Sequence, residues 1–300
     1  MLKSRKKLNG YGTFDIINTV LVVLITFVIL YPLYFCVVAS FSDPNEVSLG
    51  HTFFFIKGFN TEAWVNVIKE KRLWMGYRNT IIYTTGSTLY NLLLHIPLGY
   101  ALTKKYLPFR NFFSMYFFVT MYVAGGLIPS YLINKSLGLV NNPLIMIIGA
   151  TGCYHMIIIR NFFSSSIDSQ IYEAAYIDGA SEGQTFGKIA IPLAKPIIAV
   201  EALYYIVSKW NDYYTALIYL YKEKYKPLQG VLRDILINNS EIHLTGFETA
   251  DEVEALIRKA YLAQSMKYSV IIVACIPLLI IYPFIQKYFT KGVMIGAVKG

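Results

Sequence analysis

From Phe14 to Ser40 the chain is almost continuously apolar, a run longer than the ~20 residues an α-helix needs to cross a bilayer. No other feature limits the fold as strongly, because a segment of this kind has no place on a water-facing surface. Comparable runs recur at 79–102, 112–133, 143–163, 196–220 and 268–289, with Gly125-Gly126 and Pro129 marking an irregular end to the run at 112–133. Composition agrees, with 55% hydrophobic and 15% charged residues against about 25% charged for a soluble domain. The expectation is an all-α polytopic membrane protein with six spans.

The first run follows Lys3-Ser4-Arg5-Lys6-Lys7. Its apolar part exceeds the ~7–15 residues of a cleaved signal, so it is expected to remain as a span, bent near its end by Pro32. Tyr34-Phe35 before Cys36 lacks the small residues of a lipoprotein cleavage site. All three cysteines, Cys36, Cys153 and Cys275, sit in apolar runs without metal spacing and are expected as free thiols. The net charge of +9 points to cytoplasmic Lys and Arg of a membrane protein rather than to nucleic acid.

With a cytoplasmic N-terminus, basic residues divide evenly between the two sides by number. They are denser in the shorter inner segments, above all near Lys3 to Lys7 and Lys104 to Arg110, where they matter most for orientation. Both termini are therefore expected inside, in the cytoplasmic membrane. In the large outer segment, Leu228, Val231, Leu232, Ile235 and Leu236 recur at helical spacing, as do Val253, Leu256, Ile257 and Ala260. A lid and a helix on the membrane surface both fit.

No Walker A loop, Gly-rich phosphate cradle or His-Glu-x-x-His occurs, so no catalytic residue or metal ligand is expected. His51, His95, His155 and His243 are scattered, and the two within spans suit hydrogen-bonded structural roles. Span five carries Glu201, Lys209 and Asp212 at membrane depth. Such groups face a bundle interior or a water path. They fit an ion relay, or else a self-neutralising Lys209–Asp212 pair three residues apart with Glu201 near the cytoplasmic end. The run Trp210-Asn211-Asp212-Tyr213-Tyr214 combines aromatic faces for sugar rings with an amide and a carboxylate for hydroxyls. An interfacial aromatic belt explains the same residues.

Between spans four and five lies a polar stretch with the marks of a short helix. Asp168-Ser169 starts it, with Ser169 able to accept from the first-turn N–H groups, and Asp178-Gly179 stops it. Ile171, Ala174, Ala175 and Asp178 share a face by spacing, and Tyr172 and Tyr176 form a bulkier side next to Glu173. This helix could be a knob for a cytoplasmic socket, or an ordinary loop helix packed on its own bundle.

At Glu173-Ala174-Ala175-Tyr176-Ile177-Asp178-Gly179-Ala180, followed by Phe186, Ile189, Ile191-Pro192-Leu193 and Pro196, the chain resembles the membrane-spanning subunits of binding-protein-dependent ABC importers. The similarity covers roughly 75–300. Trp210-Asn211-Asp212, Pro227-Leu228-Gln229 and a tail with Gln286-Lys287-Tyr288-Phe289, Gly292, Gly296 and Ala297-Val298-Lys299-Gly300 resemble the carbohydrate branch, close to the smaller permease of maltose-type importers and to permeases of oligosaccharide and uronate importers. The resemblance implies a type I importer permease fold with a cytoplasmic coupling helix between spans four and five. It divides the chain into 1–74 (N-terminus, first span and outer loop), 75–290 (permease domain, coupling loop 164–196) and 291–300 (tail). It also implies a non-enzymatic transport subunit that binds no cofactor, ATP and Mg being held by two partner ATPase subunits. A second, different permease and an extracytoplasmic binding protein complete the assembly, and a sugar or oligosaccharide, with uronates included, is the cargo. ATPase coupling falls to Tyr172, Glu173, Ala174, Ala175, Asp178, Gly179 and Ala180, and tail contact with the ATPase to Gly296, Lys299 and Gly300. Trp210 to Tyr214 would line the path. The same fold with a non-sugar cargo, or an ion-coupled secondary transporter using Glu201, Lys209 and Asp212, are the alternatives.

Overall fold

The computed structural model describes residues 13–149, 152–238 and 250–297, and among them every regular element is helical. Contacts group the chain into two units, Met1–Lys69 with Leu236–Val273, and Glu70–Ile235 with Ala274–Gly300.

In the first unit, α1 (Thr13–Ser40) keeps Pro32 inside one uninterrupted helix and exposes apolar side chains along most of its length. A short α2 (Pro44–Ser48) starts at Asp43, whose carboxylate accepts from the Asn45 N–H, and α3 (Glu62–Lys69) follows. Phe35 meets the Tyr268 ring edge-on, 5.5 Å between centroids, and Ser48 donates to Gln264.

The second unit is built on α4 (Lys71–Ala101). Its buried face is polar: Asn79, Thr80, Thr84, Ser87, Thr88, Asn91 and His95 are all buried, while Ile81, Ile82, Leu89 and Leu93 are exposed. A water-soluble helix does the reverse. Apolar residues outward and hydrogen-bonding residues inward fit a helix surrounded by lipid, with a polar interior of the bundle. Gly99 lets the neighbouring helix close in, since a β-carbon there would stand 2.9 Å from Ile159.

Three of the expected spans are broken, one of them at the Gly125-Gly126 irregularity. The run 112–133 forms α5 (Arg110–Tyr122) and α6 (Leu127–Ser136), bent by 118°. Val123 turns extended and Gly126 takes φ +85°, a left-handed conformation that only glycine adopts freely. The run 143–163 gives a single turn, α7 (Ile145–Ile148), which ends at Gly149, and then α8 (Tyr154–Ser165). After α8 come α9 (Ser169–Ile177), α10 (Glu182–Thr185), a π-helical turn at Phe186–Ala190, and α11 (Ile191–Leu193). These lead through a 74° bend into α12 (Lys195–Trp210), with Pro196 in its first turn as expected. The run 196–220 stops at Trp210 because Asp212 accepts from the Thr215 N–H and starts α13 (Tyr214–Tyr219).

Next, α14 (Leu228–Asn238) buries Leu228, Val231, Leu232 and Ile235, the stripe seen in the sequence. It docks on α4 rather than standing free: the Leu228 N–H donates to Thr80 Oγ1, and Asn79 donates to the Lys224 and Lys226 carbonyls. The second amphipathic segment, around Val253 to Ala260, is not a separate loop helix but the start of α15 (Ala250–Ala297). Among the described residues, two helices are long and apolar enough to cross a membrane, at Phe14–Ser40 and Val253–Ile280, and the two bent pairs each qualify as a broken span. The polar stripe lowers the mean hydropathy of α4 without shortening it.

Two apolar clusters fill the second unit. Tyr83, Ile145, Met146, Ala216, Tyr219 and Leu220 pack toward the start of α4, and Tyr100, Ile159, Phe163, Ile167, Ala190 and Ala194 pack at its end.

Candidate functional site

Two features of the second unit carry chemistry, the loop around α9 and a cavity along α4. The α9 start differs from expectation by one residue. Asp168, not Ser169, is the cap, its carboxylate accepting from the Gln170 N–H at 3.0 Å. The stop is as expected. Gly179 takes φ +78°, its N–H donates to Tyr176, and the Ala180 N–H donates to Ala175 at 2.9 Å. These two bonds close a Schellman cap on the free carbonyls. A β-carbon at Gly179 would meet nothing within 4 Å, so the requirement is one of backbone conformation and not of space.

Ala175 is buried and does not share a free surface with Ile171, Ala174 and Asp178. Tyr172 sits half-buried beside it, packed on the Tyr100–Phe163 cluster, with its ring 6.1 Å from that of Tyr100. Turned outward are Ile171, Glu173, Ala174, Ile177 and Asp178, and Ile177 is 86% exposed. Tyr176 leans back to the loop, donating to Glu182. Glu182 also accepts from Tyr106, and from Tyr100 at 3.0 Å. Burial alone would raise its carboxyl, but the three phenol donors outweigh that and hold it below its ordinary value. Burial pushes the Tyr172 phenol up to about 12.

The cavity encloses about 500 Å³. Ser87 and Asn91 of α4, Ser130 and Asn134 of α6, His155 of α8, Tyr205, Ser208 and Lys209 of α12, and Thr215 of α13 contribute to its wall. Asn211, Asp212, Tyr213 and Tyr214 also line it. Trp210 does not: it is buried, with its indole N–H donating to the Ala274 carbonyl. Asp212 is fully engaged, with one oxygen on Lys209 at 2.9 Å and the other on the Thr215 N–H at 3.0 Å. Glu201 is fully buried and accepts from His155 at 2.7 Å, and His95 shares a 2.6 Å hydrogen bond with Tyr205. Glu201 thus sits in the buried network of the bundle. What the cavity offers is hydroxyls, amides and aromatic rings, with its ionisable groups paired.

Of the tail residues, Gly296 falls in the last turn of α15, and Lys299 and Gly300 lie outside the described residues. Among the described residues no group of three or more His, Cys, Asp or Glu is placed to hold a metal ion. Hydropathy does not single out the α4 residues of the cavity, but polar residues recurring at 79, 80, 83, 84, 87, 88, 91 and 95 are a readable signal of an inward face. The Glu182 hub gave no such signal, since its donors lie up to 82 positions away.

Residues 73–295 match the family described as the binding-protein-dependent transport system inner membrane component. The chain belongs to that family. This inner membrane component is 34% identical over 288 residues to Protein LplC of Bacillus subtilis (strain 168), across 96% of this chain and 95% of the relative. It is 32% identical to the polygalacturonan/rhamnogalacturonan transport system permease protein YtcP of the same organism, across 96% and 98%. Its fold matches, with TM-score 0.82 and 32% identity over 93% of this chain and 99% of the other, a chain from the crystal structure of a bacterial ABC transporter involved in the import of the acidic polysaccharide alginate. The inner membrane component is therefore an all-helical, multi-pass transport subunit of the type I permease fold and not an enzyme.

Proposed function

We propose that this chain forms half of the translocation path of an ATP-driven importer for acidic oligosaccharides, paired with a second permease. Two ATPase subunits hold ATP and Mg on the cytoplasmic side, and a binding protein delivers cargo from the other. The observation that carries the cargo class is the near-full-length likeness to a chain of an alginate importer. The cavity supports it. Hydroxyl and amide side chains with Tyr205, Tyr213 and Tyr214 suit the polar edges and apolar faces of sugar rings. The paired state of Lys209 and Asp212 favours a structural role for them over an ion relay.

In this reading the chain crosses the membrane six times with both termini inside, and α9 lies at the cytoplasmic surface. The outward residues Ile171, Ala174, Ile177 and Asp178 meet the ATPase, with Glu173 at their border. Tyr172, Ala175, Gly179 and Ala180 hold the helix in place for that contact. ATP-driven closure of the ATPases moves α9, and the bundle turns the cavity from one side of the membrane to the other. The tail from Gly296 onward adds a second ATPase contact.

Proteoliposomes holding the whole importer test the cargo. Uptake of a galacturonate or alginate tetrasaccharide should require ATP and exceed uptake of a neutral maltotetraose. Preference for the neutral sugar would overturn the acidic assignment. Uptake by the chain alone under an ion gradient would overturn the ABC assignment.

A further inference from the structure

Lys104 is enclosed in a way that its neighbour is not. Lys105 is exposed, whereas the Lys104 side chain is only 11% exposed. Its ammonium lies 4.3 Å from the centre of the Tyr100 ring, 4.2 Å from that of Tyr172 and 5.4 Å from that of Tyr176. It donates to the Tyr176 hydroxyl at 2.9 Å and stands 3.9 Å from Glu182. A lysine loses hydration in such a place, and burial indeed pushes its ammonium down from the ordinary value, with Glu182 offsetting only part of that. The compensation comes from aromatic faces, whose attraction for a cation grows when water is excluded.

The cage joins two stretches of the chain that are remote in sequence, the end of α4 with the turn after it, and α9. Tyr100 ends α4, Lys104 follows in the turn after it, and Tyr172 and Tyr176 project from α9. Glu182 at the start of α10 then collects the phenols from both sides. Tyr172 already seats α9 on the Tyr100–Phe163 cluster. The cation adds a polar tie across the same seam, so that α9 moves with the end of α4, the helix whose polar face lines the cavity.

We propose that Lys104 is a positioning residue that transmits motion of α9 to α4, a strut in which one enclosed cation holds three tyrosine rings. The inference rests on the reading of α9 as the ATPase-coupling helix. It adds a route by which that motion reaches the cavity through α4.

The test uses the assembled importer with Cys36, Cys153 and Cys275 changed to serine and Ser130→Cys as a reporter in the cavity wall. Labelling by a membrane-impermeant maleimide is measured with and without ATP and vanadate, so no cargo is needed. Lys104→Met should still co-purify with the ATPases. Its ATP-dependent change in labelling rate should fall about fivefold, the factor equivalent to ~1 kcal/mol of cation–π interaction. Lys104→Arg keeps a cation that stacks on rings and should restore the change. An unaltered change in Lys104→Met, loss of ATPase co-purification in it, or failure of Lys104→Arg to restore the change would overturn the strut. The underlying reading fails separately if Gly179→Val, the substitution that left-handed backbone tolerates least, leaves both ATPase association and the ATP-dependent change intact, or if the parent complex shows no such change.

Discussion

Replacing Gly179 by asparagine, alanine and valine in turn separates backbone conformation from crowding. The residue sits at φ +78° with open space where a side chain would start. Left-handed backbone costs an L-residue about 1–2 kcal/mol, and asparagine less, because its short polar side chain tolerates that region. A β-branched residue is the worst case. The cost falls on the Schellman cap, in which the Ala180 N–H reaches Ala175. Cap opening should therefore rise about 5–30-fold in Gly179→Ala, more in Gly179→Val, and little in Gly179→Asn. Amide exchange at Ala180, read by mass spectrometry on the purified importer, reports the opening directly. Coupled ATPase activity should follow the same order. If loss instead followed side-chain size, with asparagine worse than alanine, the backbone argument would be refuted and crowding at the partner surface would be the cause.

Three further outcomes follow from contacts elsewhere in the second unit. His155→Ala strands the fully buried Glu201 carboxylate and should cost roughly 3–5 kcal/mol, lowering Tm in detergent, and His155→Leu combined with Glu201→Leu should recover most of it. Glu182 has a folded pKa below its unfolded value near 4.5, so its stabilising contribution is present above that pH and is lost as pH falls through the folded pKa. Amide exchange of α9 should accelerate only below pH 4.5, and Glu182→Gln should remove the step; a transition between pH 5 and 7 would contradict this. Gly99→Ala forces a β-carbon to 2.9 Å from Ile159 and 3.1 Å from the Arg160 backbone, costing ~1–3 kcal/mol by thermal unfolding, whereas Gly183→Ala, with open space, should be near neutral.

Much of the site could be read from residue order, because its determinants are local. Caps and stops depend on neighbours within a turn, so the ends of α9 were legible to within one residue, and so was the stripe of α14. What the sequence hides is which way a face turns. The 3.6-residue period groups Ile171, Ala174, Ala175 and Asp178, yet Tyr172 needs the Tyr100–Phe163 cluster, and in reaching it rolls Ala175 inward and Ile177 outward. The break after Tyr122 was signalled by Gly125-Gly126 and Pro129, whereas the one after Trp210 was hidden. It lies inside an apolar run, and hydropathy ignores the bond from the Thr215 N–H to Asp212. The Lys104 cage depends on residues brought together from 72 positions apart, which no local pattern reports.

The central claim is that the outward face of α9 is where this chain meets its ATPase. A photo-crosslinking amino acid placed singly at Ala174, Ala175 and Ile177 of the assembled importer tests it most directly. Adducts to the ATPase subunit should form from positions 174 and 177 and not from 175. Crosslinking from 175 alone, or adducts only within the chain from all three, would contradict it.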